Sequence, residues 1–462
     1  MQLRSSQHLI PDDAFSAGKR GKKRGTPVAI TSIDADEEYR INDLFLGGSM
    51  KSRHIVSHAI AYALCAASAA HAASPDAMTS IGSAVSQTKV LLDTRMRWEG
   101  VDQDPLSEEA EAVTLRARLG VETGKVLGTS LLAEGEFVWP LVTDYNSTTN
   151  GKTQYPIVAD PESHELNRLH LTNSSLPGTT ITVGRQRILL DDQRFVGNVG
   201  WRQNEQTYDS LRLVNKSVKN TTFDLSYVTQ VNRVFGKDSP QGRYEGESIL
   251  ANASHQFSLG KLTGFGYLLE FDPIAAVPAA VRDSSETYGV RFAGEKPLDA
   301  VKLGYAASYA NQSERGDNPL SFDLDYYLGE LTASMSKYSV GAGLEVLEGN
   351  GTKGFTTPLA TLHKFQGWTD KFLATPAEGI EDSYISAAMT FKSIGMLETL
   401  SVLAVYHSYE AERVSMDYGT ELNLQLQAKL GKFNGVIKYG DYNADELLTD
   451  TKKYWVQFEY VW

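Results

Sequence analysis

The sequence predicts an all-β protein, a transmembrane antiparallel β-barrel of eighteen strands, with sixteen as the lower count, preceded by a cleavable signal peptide. Three observations predict it. Stretches in which apolar and polar residues alternate recur along the chain, the pattern of a strand with lipid on one side and water on the other. Beyond residue 72 there is no apolar run approaching the ~18 residues of a spanning helix, so a membrane crossing has to be made by strands. The last alternating segment, Tyr454–Trp462, closes on an aromatic residue.

Composition agrees with a barrel that has one apolar and one polar face. The 462 residues are 41% hydrophobic and 22% charged, with a mean hydropathy of -0.29. The 39 glycines and 22 tyrosines suit tight turns and interfacial aromatic girdles better than a helical enzyme.

At the start, Met50-Lys51-Ser52-Arg53 reads as a basic n-region, Ala59 to Ala70 as a short apolar stretch, and Ala70-His71-Ala72 as a signal-peptidase site. Residues 50–72 are therefore expected to be a signal peptide and 73–88 a periplasmic lead-in to the barrel, 89–462. Residues 1–49 carry Lys19-Arg20-Gly21-Lys22-Lys23-Arg24 and an acidic run from Asp34 to Glu38 with no apolar core. They are read as disordered and upstream of a true start at Met50, with an extended leader as the alternative. The single cysteine, Cys65, lies inside the signal peptide, which leaves no disulfide or thiol chemistry for the barrel. Nine of the 44 basic and seven of the 57 acidic residues precede Ala73, giving the rest a net charge of -15. That acidity disfavours nucleic acid as a partner.

The alternation is clearest in four segments. In Leu92 to Glu99, Leu92, Thr94, Met96 and Trp98 oppose Asp93, Arg95, Arg97 and Glu99. In Ala112 to Glu122, Val113, Leu115, Ala117, Leu119 and Val121 oppose Thr114, Arg116, Arg118, Gly120 and Glu122. Leu422, Leu424, Leu426, Ala428 and Leu430 oppose Glu421, Asn423, Gln425, Gln427 and Lys429, and the terminal segment sets Tyr454, Val456, Phe458, Tyr460 and Trp462 against Gln457 and Glu459. Weaker segments complete the count of eighteen; discounting those such as 129–139 gives sixteen. An even count places both termini in the periplasm, and this size leaves an aqueous lumen. Short connections such as 124–128 and 173–178 are assigned to the periplasm. Long ones, among them 188–204 and 349–382, are assigned to the outside, with inward folding to narrow the pore as the common use of such loops. The closing strand Tyr454–Trp462 has the form of the signal read by the outer-membrane assembly machinery, and the surrounding partner is outer-membrane lipid.

Several blocks resemble the alginate export outer-membrane proteins: Leu92-Asp93-Thr94-Arg95-Met96-Arg97-Trp98-Glu99, Gly184-Arg185-Gln186, Arg194-Phe195-Val196-Gly197, Trp201-Arg202-Gln203-Asn204-Glu205-Gln206-Thr207-Tyr208-Asp209, and Pro358 to Trp368. The resemblance spans essentially all of the chain after the signal peptide. It implies an eighteen-stranded barrel in the bacterial outer membrane, through whose arginine-rich lumen an acidic polysaccharide leaves the cell, with periplasmic export components as partners.

The residues supply a rationale. Between Val90 and Asn215 there are ten arginines against two lysines, Lys125 and Lys152. Guanidinium binds carboxylate through a planar fork and stays charged, so a ladder of weak sites could hand an anionic chain along. The candidate lumen residues are Arg95, Arg97, Arg116, Arg118 and Arg212, with Asp93, Glu99, Glu122, Glu134 and Glu136 facing and tempering them. Arg194, Arg202, His363, Lys364 and Trp368 are candidates for constricting loops. Arg185 and Arg187 share the parity of Ile181 and Val183, which requires a bulge or a place at the rim. Against this stands the plain need of any hydrated wall for paired charge. The five histidines beyond residue 72 lack metal-ligand spacing and no nucleophile elbow or phosphate loop is present, so no catalytic residue, metal or cofactor is expected. The function expected is a channel for an anionic polysaccharide or another acidic or polar solute. A general or nutrient-uptake porin and a non-conducting surface barrel are the alternatives.

Overall fold

The computed structural model describes residues 82–273 and 278–462. The expectations for the leader, the signal peptide and most of the lead-in fall outside the described residues. A helical turn over 82–86 precedes the first strand, and its Ala84 carbonyl accepts from the Gly124 amide in the nearest short turn.

Eighteen strands follow: β1 (Lys89–Gln103), β2 (Ala110–Glu122), β3 (Thr129–Asp144), β4 (Ser163–Asn173), β5 (Thr179–Gln186), β6 (Thr207–Asn215), β7 (Thr221–Asn232), β8 (Arg243–Phe257), β9 (Gly260–Leu269), β10 (Ser285–Leu298), β11 (Val301–Glu314), β12 (Asp323–Met335), β13 (Tyr338–Leu347), β14 (Ile380–Ile394), β15 (Leu397–Glu410), β16 (Asp417–Leu430), β17 (Phe433–Ala444) and β18 (Thr451–Val461). Each pairs antiparallel with its neighbours in sequence, and β1 pairs with β18 from Asp93 opposite Val461 to Gln103 opposite Thr451. The sheet is thus closed and leaves no free edge. The segment 129–139, on which a count of sixteen depended, is a full strand that runs on to Asp144, with a register shift at Val113/Thr114 taking up the extra length.

Alternation decides which way each side chain points. Outward positions are apolar and open to the surroundings, as at Val290, Leu331, Ile385, Val402 and Ile437. Aromatic residues border this belt, Tyr288, Tyr309 and Tyr327 toward one rim and Phe257, Tyr338 and Phe433 toward the other. An apolar band bordered by aromatic rings suits lipid. Inward positions are polar and mostly buried.

One rim carries short turns and the other the long connections. At the short-turn rim, Gly178 takes φ +65, and a Cβ there would meet the Ser217 backbone at 3.0 Å, so glycine is required. At the long-loop rim, two connections fold into the barrel: residues 187–206 between β5 and β6, and 348–379 between β13 and β14. They join through a parallel bridge between Val196 and Leu359. Phe195 packs within 4.9–6.2 Å of Phe265, Tyr267, Tyr326 and Phe355, so an apolar core sits inside the barrel where the loops meet the β9 and β12 wall.

Candidate functional site: a loop-constricted lumen

The arginines of β1 and β2 face the lumen and are covered by the first inward loop. Arg95 pairs with Glu459 at 2.8 Å and donates to the backbone carbonyls of Gly200, Trp201 and Arg202 at 3.0–3.2 Å. Arg97 donates to Gln457 at 2.7 Å, to the Trp201 carbonyl and to Asp160, and its guanidinium lies 4.0 Å from the Trp201 ring centroid. Arg116 pairs with Asp93 and with Glu459, while Arg118 pairs with Glu136 and, at 3.5 Å, with Asp93 and Glu205. Farther round the wall, Arg168 forks onto Glu134 at 2.7–2.8 Å and Arg212 onto Asp224 at 2.5–2.9 Å. Three of the predicted carboxylates, Asp93, Glu134 and Glu136, thus pair with wall arginines. Glu99 instead receives Arg202 from the loop at 3.1 Å, and Glu122 lies toward the short-turn rim, in register with Lys89 and Leu132.

The two candidates of awkward phase part company. Arg185 keeps the outward parity of Ile181 and Val183 and pairs with Asp209 at 2.7 Å near the long-loop rim. Arg187 follows the end of β5, turns inward and meets Glu205 at 2.6 Å.

The inward loops are pinned by buried charge. Arg194 donates to Glu345 of β13 at 2.6 Å, to Thr357 at 2.9 Å and to Gln366 at 3.2 Å, tying both loops to the wall. Arg202 reaches Glu99 and Asp370, the latter at 2.9 Å. Glu421 of β16 accepts from the amides of Trp368 and Thr369 at 2.5 and 2.9 Å. Gly367 takes φ +82 there, where a Cβ would fall 2.3 Å from a Glu421 oxygen. His363 stands at the centre of the second loop. Its Nδ1 faces Asp370 at 2.7 Å, its Nε2 faces the Lys438 ammonium at 2.7 Å, and its ring stacks on Trp201 at 4.4 Å. Lys438 also lies 3.8–5.4 Å from the rings of Trp201, Trp368 and Trp455, a cation held among three indoles.

This surrounding sets the protonation of the loop groups. Burial, and then Lys438, hold the His363 imidazole well below its ordinary range, so it is neutral. Burial opposes the charge of Asp370, but Lys453, His363 and Arg202 outweigh it and keep the carboxyl well below its ordinary value. Glu205 is likewise drawn down to about 2 against its burial by Arg118 and Arg187. Lys371 is lowered to about 8 by burial and by Lys453.

Two cavities flank the loops. One of about 640 Å³ opens toward the long-loop rim and carries Arg202, Arg233, Lys371 and Lys453 against Asp283 and Asp370. The other, about 570 Å³, lies between the loops and the wall from β12 to β17. Among the described residues His363 alone borders both.

The sequence matches no protein-family model and no curated protein. Solved structures do match. The chain is similar to OccK9 (OpdG) of Pseudomonas aeruginosa, with a TM-score of 0.64 and 14% identity over 82% of this chain and 100% of that one. OpdO of the same organism gives 0.63 and 12% over 83% and 99%. OpdK, crystallised with vanillate, gives 0.60 and 13% over 81% and 99%. The fold is that of an outer-membrane porin.

All five loop candidates lie in the two inward loops. Arg194, Arg202 and His363 are buried, Trp368 packs on Lys438, and Lys364 is exposed with its ammonium donating to the Asp192 carbonyl at 2.9 Å. Sequence reading missed Asp160, Glu205, Glu345, Asp370, Lys438 and Trp455. Parity marks Glu345, Lys438 and Trp455 as inward, since each sits between outward residues of its strand. Nothing local marks Asp160 or Asp370, whose arginine and lysine partners come from distant loops and strands.

Proposed function

We propose that the protein is a nutrient-uptake channel of the bacterial outer membrane that admits small anionic solutes. The observation that carries this reading is the cavity at the long-loop rim, which sets four cationic side chains against two carboxylates above a constriction made by two inward loops. Low-dielectric walls focus such a field and raise the local concentration of anions. The belt of apolar and aromatic residues around the barrel supports the outer-membrane location. OpdK, a neighbour in fold, was crystallised with vanillate, a small aromatic carboxylate.

Export of an acidic polysaccharide, the use implied by the sequence resemblance, draws less support. A polymer needs a continuous wide track, whereas the wall arginines that would form it are engaged by Asp93, Glu136, Glu459 and the loop carbonyls, and the loops separate two cavities. Reversal potentials in planar bilayers under a KCl gradient test the proposal. Anion selectivity that falls in K371Q and R233Q is the expected result, and cation selectivity in the wild-type channel overturns it. Current block by small carboxylates but not by oligouronates separates uptake from polymer export.

A further inference from the structure

We infer that the inner cavity binds solutes that carry a cation as well as a carboxylate, so that the channel's substrates are zwitterions of the amino-acid kind. This rests on the uptake reading above and narrows it. The cavity of about 570 Å³ has room for such a molecule with its water. Most of the charge lining it is already paired within the protein: Asp192 with Arg291 at 3.0 Å, Glu345 with Arg194 at 2.6 Å, and Asp382 with His407 at 2.9 Å. Lys438 is spent on His363 and the three indoles. Apart from Lys438, two charges remain without an ion-pair partner among the described residues, Glu330 on the wall and Lys364 on the roof.

Their placement suits one bifunctional ligand. Glu330 is half-buried on β12, and among the described residues its side chain accepts one hydrogen bond, from the Tyr384 hydroxyl at 3.2 Å, so the carboxylate keeps acceptor capacity. It is in register with Gly343, two residues along β13 from Glu345, about 7 Å at strand rise. Glu345 is bonded to Gln366, and Lys364 stands two residues earlier in the same stretch of roof. An exposed ammonium above and an unpaired carboxylate below thus face one cavity across a gap that a small molecule can span. A purely anionic solute would satisfy Lys364 and leave its other end against Glu330; a solute with an ammonium group satisfies both. The cationic outer cavity and the bipolar inner one then act in series, the first gathering carboxylates and the second sorting them by their second charge.

The test is current block of the purified channel in planar bilayers by γ-aminobutyrate, butyrate and butylamine, which differ in the charges they carry. γ-Aminobutyrate is expected to half-block at a concentration about tenfold below either relative, the weight of one charge-assisted hydrogen bond. E330Q is expected to raise its half-blocking concentration about tenfold while leaving butyrate unchanged, and K364Q to weaken γ-aminobutyrate and butyrate but not butylamine. Equal block by γ-aminobutyrate and butyrate, or indifference to E330Q, overturns the inference while leaving the channel intact. Absence of any KCl conductance overturns the channel reading and this inference with it.

Discussion

Acidification is expected to loosen the second inward loop through His363. In the packed loop the imidazole is neutral, its Nδ1–H directed at Asp370 and its Nε2 accepting from Lys438. A proton on Nε2 removes that hydrogen bond and sets a second cation against the Lys438 ammonium. A released loop leaves the histidine near its ordinary value of about 6.5. Below that pH the released state takes up a proton that the packed state refuses, so packing weakens as pH falls, by about 1.4 kcal/mol per pH unit. From pH 6.5, where half of the released histidines are already protonated, to 5.0 this amounts to about 1.6 kcal/mol, or about a sixteenfold rise in the ratio of released to packed loop. Neighbouring loop charges do not disturb the window. Asp370 is held well below 3.8 and Lys371 titrates at about 8, so both keep their charge throughout it. Single-channel recording between pH 7.5 and 5.0 reads the effect as the fraction of time in the loop-released conductance level. H363Q, which can still bond both neighbours but cannot take a proton, should flatten the response, and H407Q serves as the control for the wall histidine. A wild-type ratio that does not move with pH, or an H363Q channel that responds as the wild type does, refutes the reasoning.

Other outcomes follow from the same contacts. R202M leaves the buried carboxylates of Glu99 and Asp370 short of a partner and is expected to cost about 3–5 kcal/mol of loop packing, seen as new protease cleavage within 187–206. G367A forces a side chain onto Glu421 at a left-handed backbone position, and should raise conductance noise without lowering barrel yield. V402R places a guanidinium on the lipid face near the middle of β15 and is expected to cost about 2–4 kcal/mol, measured by urea titration of folding into vesicles.

The wall of the barrel was legible in the sequence because its period of two is imposed twice, once by lipid and once by water. All eighteen strands were located, with ends misplaced by a few residues, as in β3, which runs on from Trp139 through Pro140 and a register shift to Asp144. The lumen was legible only in part. Parity placed Arg95, Arg97, Arg116 and Arg118 inward with Asp93 and Glu136 facing them, but not their other partners, which lie far away in sequence: Glu459 for Arg95, Asp160 for Arg97, Glu205 for Arg118. Loop backbones hold no periodicity from which a contact such as Val196 with Leu359 could be read. Trp455 shows a related limit. The terminal segment was read for its outward aromatics, and an inward tryptophan beside them joins a cation cage that only β17 and both loops complete.

That difference bears on what the arginines do. A conducting ladder needs guanidinium groups that are open to solvent and free to exchange partners, yet Arg97 and Arg116 are 1% and 0% exposed. Each has a carboxylate or carbonyl partner, and Arg95 and Arg97 together hold the carbonyls of Gly200, Trp201 and Arg202. Their geometry is that of a clamp on the first loop, for which the planar fork of arginine is suited and lysine is not. The cations proposed to meet solute are instead Arg233 and Lys371, which stand in connections between strands and line the outer cavity. The two roles separate experimentally. R97K keeps the charge but loses the fork and the stacking on Trp201, so it should loosen the loop and raise conductance with anion selectivity retained. K371Q removes charge from the outer cavity without touching the clamp, so it should lower selectivity with single-channel conductance nearly unchanged. Loss of selectivity in R97K with a loop as quiet as in the wild type would return the wall arginines to the conduction path.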